Sequence, residues 1–258
     1  MRRPLLVANW KMNKNREEAR AFASALLSGL GGLGEEAPEV VIAPPFTALD
    51  ALASALTDDR LILAAQDVSP LVEGAFTGDV SASMLADAGC RYCIVGHSER
   101  RALHGETSRQ VAAKAAALLG AGLRPIICLG ETQEQRDAGQ TAQIVCQQLE
   151  ESLPKVETPA AGNLVVAYEP IWAIGTGVTA SPEQAQEVQA LLRTQLRTIL
   201  GAGAERVRLQ YGGSVGPDNI RAFMSQPDID GALIGGASLE PERFEQIIAN
   251  THWEKNSP

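Results

Sequence analysis

The sequence predicts an α/β fold, a closed parallel (β/α)8 barrel forming a single domain over residues 1–258. Three observations carry that prediction. Short apolar runs rich in β-branched residues recur eight times, stretches rich in Ala, Leu, Glu and Gln lie between them, and no long Pro, Gly or Ser linker divides the chain. Strands that read as nearly continuous apolar runs belong to a parallel sheet covered by helices. Eight units of about 32 residues each have the size of one strand and its helix, which points to a closed barrel.

In chain order the strand runs are Leu5 to Ala8, Val40 to Ala43, Leu61 to Ala65, Cys93 to Val95, Pro125 to Leu129, Leu164 to Tyr168, Val207 to Tyr211 and Ala232 to Ile234. Helical patterns follow at Arg16 to Leu30, Thr47 to Leu56, Val80 to Ala88, Ser108 to Leu119, Glu134 to Leu153, Pro182 to Leu200, Asp218 to Met224 and Pro241 to Ile248. The sixth unit is unusual. Its strand delivers Glu169 and stops at Pro170, which has no N–H to continue a ladder. The next helix opens at Ser181-Pro182-Glu183-Gln184, an N-cap, an N1 proline and a capping-box partner. The loop from Pro170 to Ala180 therefore exceeds the roughly 2 to 6 residues usual between strand and helix. Trp172 and Ile174 give it an apolar side and Gly175 and Gly177 give it freedom, the composition of a closing lid. The polar end from Glu254 to Pro258 is expected to fray.

Composition is that of a globular protein, with 45% hydrophobic and 21% charged residues and a formal net charge of −9. Such an acidic chain is a poor partner for nucleic acid or an anionic membrane, which are bound by clustered Lys and Arg. Met1-Arg2-Arg3-Pro4 begins like a signal peptide, but the apolar run behind it ends at Ala8. No stretch reaches the roughly 18 apolar residues that span a bilayer, so a soluble cytoplasmic protein is expected. Cys90 and Cys93 form a Cys-x-x-Cys pair, yet Cys128 and Cys146 supply no second half for a zinc site, so structural thiols and no metal are expected. Gly175 to Ala180 matches a dinucleotide fingerprint. It lies in the sixth unit, several residues past the strand end, with no acid near residue 197 to hold a ribose, and a nicotinamide cofactor is set aside.

Barrels gather their chemistry at the C-terminal ends of the strands. Those ends carry Asn9 and Lys11, Gln66 and Asp67, His97 to Glu99, Gly130 and Glu131, Glu169, Gly212 to Ser214, and Gly235 and Gly236. Singly, each has an ordinary account: a solvated lysine, a satisfied histidine, a glycine serving a turn. Together they place a carboxylate base, an imidazole, an ammonium and glycine-rich turns on one rim. The turns after strands 7 and 8 suit a phosphate, because glycine lets backbone N–H groups approach an oxyanion and the N-terminus of a short extra helix adds partial positive charge. An acidic protein can thus hold a small anion without an arginine cluster.

Six motifs carry a resemblance. Asn9-Trp10-Lys11, Gly96-His97-Ser98-Glu99-Arg100-Arg101, Cys128-Leu129-Gly130-Glu131-Thr132, Tyr168 to Gly177, Tyr211-Gly212-Gly213-Ser214-Val215 and Gly235-Gly236-Ala237-Ser238-Leu239 resemble the triosephosphate isomerase family, in order and over essentially the whole chain. The resemblance implies the TIM-barrel fold and interconversion of dihydroxyacetone phosphate and glyceraldehyde 3-phosphate. The alternative, another phosphate-binding barrel enzyme acting on a small sugar phosphate, keeps the glycine turns but does not need both His97 and Glu169. By resemblance Glu169 is the base and His97 the electrophile. A weak carbon acid beside a carbonyl calls for both. Lys11 supplies fixed positive charge, Asn9 a donor to the substrate oxygen, and Glu99 a partner for Lys11. Ile174 and Leu233 match an apolar clamp that desolvates Glu169. Gly175, Ser214, Gly235 and Gly236 would hold the phosphoryl oxygens.

This family is a standing example of a lid loop, and of an imidazole kept neutral by a helix N-terminus, so those two expectations are the family's own. Proton shuttling of this kind needs no metal or organic cofactor. The resemblance also implies a homodimer in which the loop Gly74 to Asp79 enters the neighbouring subunit, with Thr77 supporting its site. Two residues depart from the family pattern: Val178 at the lid's far hinge and Asp67 after Gln66.

Overall fold

The computed structural model describes residues 2–32, 37–56, 59–155, 158–174 and 179–251. Within them eight strands close into a barrel in sequence order. They are β1 (Leu5–Asn9), β2 (Glu39–Ala43), β3 (Leu61–Ala65), β4 (Tyr92–Val95), β5 (Arg124–Leu129), β6 (Val165–Tyr168), β7 (Arg208–Tyr211) and β8 (Gly231–Ile234). Every neighbour is parallel, and β8 returns to β1 with Leu233 opposite Val7. The observed strands lie within a residue of the expected runs.

The helices are α1 (Arg16–Gly29), α2 (Leu49–Ala53), α3 (Ala82–Asp87), α4 (Ser98–His104), α5 (Ser108–Gly120), α6 (Gln133–Asp137), α7 (Thr141–Ser152), α8 (Pro182–Leu200), α9 (Ile220–Met224) and α10 (Pro241–Ala249). Three differ from expectation. The helix expected from Glu134 to Leu153 is two, because Gly139 takes a left-handed φ of 69° between α6 and α7. The one expected from Thr47 begins as a 3-10 turn, Phe46–Ala48, before α2. The helix N-terminus expected at His97 opens a full helix, α4, which is absent from the eight expected helical patterns and is ended by Gly105 at φ 66°. The capping box of α8 is present as expected, with Ser181 Oγ accepting the Gln184 N–H. Gly175 to Val178 and Glu254 to Pro258 lie outside the described residues.

Alternation along the strands sorts the core into two layers. Leu6, Ala8, Val40 and Ile42 pack outward under Phe22, Leu26, Leu192 and Phe244. Leu5, Val7, Val41, Ile62, Ile94, Ile126, Val165 and Ala167 fill the barrel. Near the strand N-termini a polar plug closes it: Arg208 donates to Glu39 and to Tyr92 at 2.6 Å each, and Tyr92 donates to Glu39 at 2.7 Å. At the other end the same alternation carries Leu5 and Val7 on to Asn9, and Val165 and Ala167 on to Glu169. The functional rim is the next inward layer of the barrel. All four cysteines are free thiols, and Cys90, Cys93 and Cys128 are buried. No helix among the described residues is long and apolar enough to cross a membrane.

Candidate active site

Asn9 ends β1, and its Oδ1 accepts the Lys11 N–H at 3.0 Å, which leaves the amide Nδ2 with no acceptor among the described residues. Lys11 sits at φ 51°, a conformation that costs a non-glycine residue about 1–3 kcal/mol and persists only where its surroundings enforce it. Gln66 enforces it, donating from Nε2 to Lys11 O at 2.9 Å and to Ala43 O at 2.8 Å. The ammonium reaches Glu99 Oε1 at 2.6 Å. A Cβ placed on Gly235 would come 3.9 Å from it, so Lys11 spans the mouth between α4 and the turn after β8.

His97 follows a required glycine. Gly96 has φ 71°, and a Cβ there would meet Val111 Cγ2 at 2.8 Å. The Gly96 N–H is held by Glu106 Oε2 at 3.0 Å and its carbonyl by Arg101 Nε at 2.8 Å. His97 is then the N-cap of α4, its Nδ1 accepting the Glu99 N–H at 3.3 Å. That bond leaves the proton of a neutral ring on Nε2, which lies 2.9 Å from Glu169 Oε1.

Glu169 is buried, with Oε2 accepting the Ser98 N–H at 2.8 Å. A Cβ at Gly212 would meet Glu169 Cγ at 2.9 Å, so the glycine after β7 makes room for the base. Burial pushes the His97 pKa down, but the charge and hydrogen bond of Glu169, then Glu99, outweigh it and hold the imidazole above its ordinary value. The positive end of the helix opposes that pull. In the neutral ring Nε2–H is the expected donor, but the net upward pull of Glu169 and Glu99 runs against the expectation that the helix N-terminus keeps the imidazole neutral.

The first half of the long loop is fixed from below. Trp172 Nε1 and Tyr168 Oη both donate to the fully buried Glu131, at 2.9 and 3.0 Å, and the Arg136 guanidinium stacks on the Trp172 ring at 4.2 Å. Sequence reasoning placed Glu131 and Gln66 on the rim without giving either a task. Gln66 directly follows β3 and Glu131 stands two residues past β5, and each carries a group too polar to bury unpaired.

A cavity of about 390 Å³ opens above these residues and is lined by Asn9, Lys11, His97, Glu169, Ile174, Ser214, Leu233, Gly235, Gly236 and Arg243. Every expected substrate-binding residue is therefore on one cavity except Gly175, which lies outside the described residues. Glu99 stands behind Lys11. Among the described residues, no protein group accepts a hydrogen bond from the N–H of Ser214, Gly235 or Gly236.

Comparison with known proteins gives a family model, triosephosphate isomerase, that matches residues 4–251. The chain belongs to the triosephosphate isomerase family. It is 52% identical over 249 residues to the triosephosphate isomerase of Chloroflexus aurantiacus, covering 96% of this chain and 99% of the relative. The corresponding protein of Symbiobacterium thermophilum is 51% identical over 253 residues, with 96% and 97% covered. The crystal structure of triosephosphate isomerase from Bartonella henselae superposes with a TM-score of 0.87 at 36% identity, over 96% of this chain and 98% of that one. Against the triosephosphate isomerase pattern, the departure at Asp67 has a structural account. Its carboxylate pairs with Arg100 at 2.8 Å and with Lys114 at 2.6 Å.

Proposed function

We propose that this isomerase interconverts dihydroxyacetone phosphate and D-glyceraldehyde 3-phosphate by moving one proton between adjacent carbons through an enediolate. The observation that carries the reading is that Glu169 and His97 lie within hydrogen-bond reach on a cavity also lined by Ser214, Gly235 and Gly236, whose N–H groups have no protein acceptor among the described residues. Glu169 removes the proton from one carbon and returns it to the next. His97 Nε2–H and the Asn9 amide donate to the substrate oxygens, where negative charge develops. Lys11, held in place by Glu99 at 2.6 Å, faces the same charge.

Ile174 and Leu233 line the cavity beside Glu169 and shield its carboxylate from water. Ser214, Gly235 and Gly236, with Gly175 from the loop, take the phosphoryl oxygens. A base and an electrophile suffice for this chemistry, so no metal or organic cofactor enters it. A coupled assay with glyceraldehyde 3-phosphate tests the reading. Wild type should turn over and Glu169→Gln should not, and equal rates for the two would refute it.

The same proposal includes a homodimer. Met12, Phe46, Leu71, Val72, Phe76 and Met84 are all exposed. They follow β1, β2 and β3, which are neighbours in the barrel, so the apolar surface gathers over one sector of the rim. The loop Gly74 to Asp79 projects there, anchored by Ser69 Oγ donating to Asp79 at 2.6 Å. Through it Thr77 would reach the partner's Asn9, Lys11 and His97. Sedimentation at assay concentrations should give a dimer, and a fully active monomer would overturn this part. A cytoplasmic location fits a sugar-phosphate enzyme of this composition, and fractionation of cells is the direct check.

A further inference from the structure

We infer that Arg243 is a substrate-binding residue, an outer grip on the phosphate dianion that supplements the backbone N–H groups. The inference rests on the isomerase reading and adds a residue to it. Arg243 lines the cavity on the side of Ser214, Gly235 and Gly236. A Cβ at Gly216 would come 3.7 Å from its Nη2, so the guanidinium lies over the turn that follows β7.

Two further observations separate it from an ordinary surface arginine. Among the described residues no carboxylate pairs with Arg243, whereas Lys11, on the same cavity, is held by Glu99 at 2.6 Å. In addition, Arg243 stands in the first turn of α10, where a cation opposes the partial positive charge of the helix end. Its neighbour Glu242 does not face it, being adjacent on the helix. Phe244, Ile247 and Ile248 are buried and fix α10 against the barrel, so the side chain springs from a rigid base. A dianion between Arg243 and the N–H groups would satisfy the guanidinium and relieve the repulsion at the helix end. In a chain of net charge −9 it also supplies local attraction where the substrate enters.

The test compares wild type with Arg243→Gln and Arg243→Glu. Inorganic phosphate binding by calorimetry should weaken about two- to fivefold in Arg243→Gln, the size expected of a solvent-exposed ion pair, and further in Arg243→Glu. KM for glyceraldehyde 3-phosphate should rise in parallel with kcat nearly unchanged, and the differences should fade as added salt screens the pair. Unchanged phosphate affinity in both variants overturns the inference. So does a fall in kcat at constant KM. Calorimetry needs no turnover, so its outcome stands apart from that of the isomerase reading.

Discussion

Nε2 of His97 stands 2.9 Å from Oε1 of Glu169, while the other oxygen of that carboxylate takes the Ser98 N–H at 2.8 Å. The base and the electrophile are bound to each other, so a substrate must replace that contact to use both. Glu169→Gln keeps the shape and an oxygen for the Ser98 N–H, but it has no basicity. Its kcat should fall by at least the roughly 10²- to 10⁴-fold that general base catalysis contributes, with KM changed far less. Steady-state kinetics on the pure variant checks this, and a kcat within tenfold of wild type contradicts it.

The same contact gives a pH dependence. Unfolded, His97 titrates near 6.5, and in the fold Glu169 raises that value against the effect of burial. The folded state therefore binds this proton more tightly. The associated stability is fully present below about 6.5 and is lost as pH rises through the folded pKa. Urea unfolding of wild type and His97→Gln should show the wild-type advantage shrinking over that window. NMR titration of the ring in Glu169→Gln should give a lower pKa than in wild type, since the main upward cause is gone. An advantage independent of pH, with an unmoved ring pKa, contradicts the assignment.

Strand positions were legible because a buried parallel strand announces itself by composition, and β3 and α8 have the bounds read from sequence. The rim was legible too, since Asn9 and Glu169 continue the inward alternation of their strands. What escaped was held by tertiary contacts. Nothing local to Lys11 or Gln66 says that the one's left-handed backbone is fixed by the other's amide. Glu131 is buried through Tyr168 and Trp172, about 40 residues away in sequence, a separation no periodicity reports. The helix break at Gly139 was missed because an isolated glycine is tolerated within a helical pattern.

At the end of the barrel away from Glu169, burial raises the Glu39 pKa, but the charge and hydrogen bond of Arg208, then Tyr92 and Arg124, hold it below the usual 4.5. A depressed carboxyl contributes stability above its unfolded pKa, and that contribution disappears as pH falls through the folded value. Glu39→Gln leaves the buried Arg208 short of its carboxylate, which costs about 3–5 kcal/mol for a buried pair. Denaturant unfolding should show that loss at neutral pH and a smaller one below about pH 4. The kcat should hold, because among the described residues the plug makes no hydrogen bond or ion pair to a residue of the cavity. A variant as stable as wild type at neutral pH would show the plug to be neutral.

Two carboxylates, Asp67 and Glu106, share one lysine. Lys114 Nζ lies 2.6 Å from Asp67 Oδ1 and is also bonded to Glu106 Oε1, with Arg100 2.8 Å from Asp67. The four charges balance in a mostly buried cluster. Asp67→Asn leaves that cluster one positive charge in excess, and its stability should drop within the roughly 0.5–3 kcal/mol range of single substitutions. Asp67 holds no backbone of the catalytic turn, so kcat should stay near wild type. Glu106 differs, because its second oxygen holds the Gly96 N–H at 3.0 Å, one residue before His97. Glu106→Gln should therefore lose stability and kcat together, since the turn presenting the imidazole is loosened along with the cluster. Melting temperatures and kcat for the two variants decide the matter. Equal kcat losses would mean that the cluster acts on His97 as a unit, and that the Gly96 bond carries no separate positioning role.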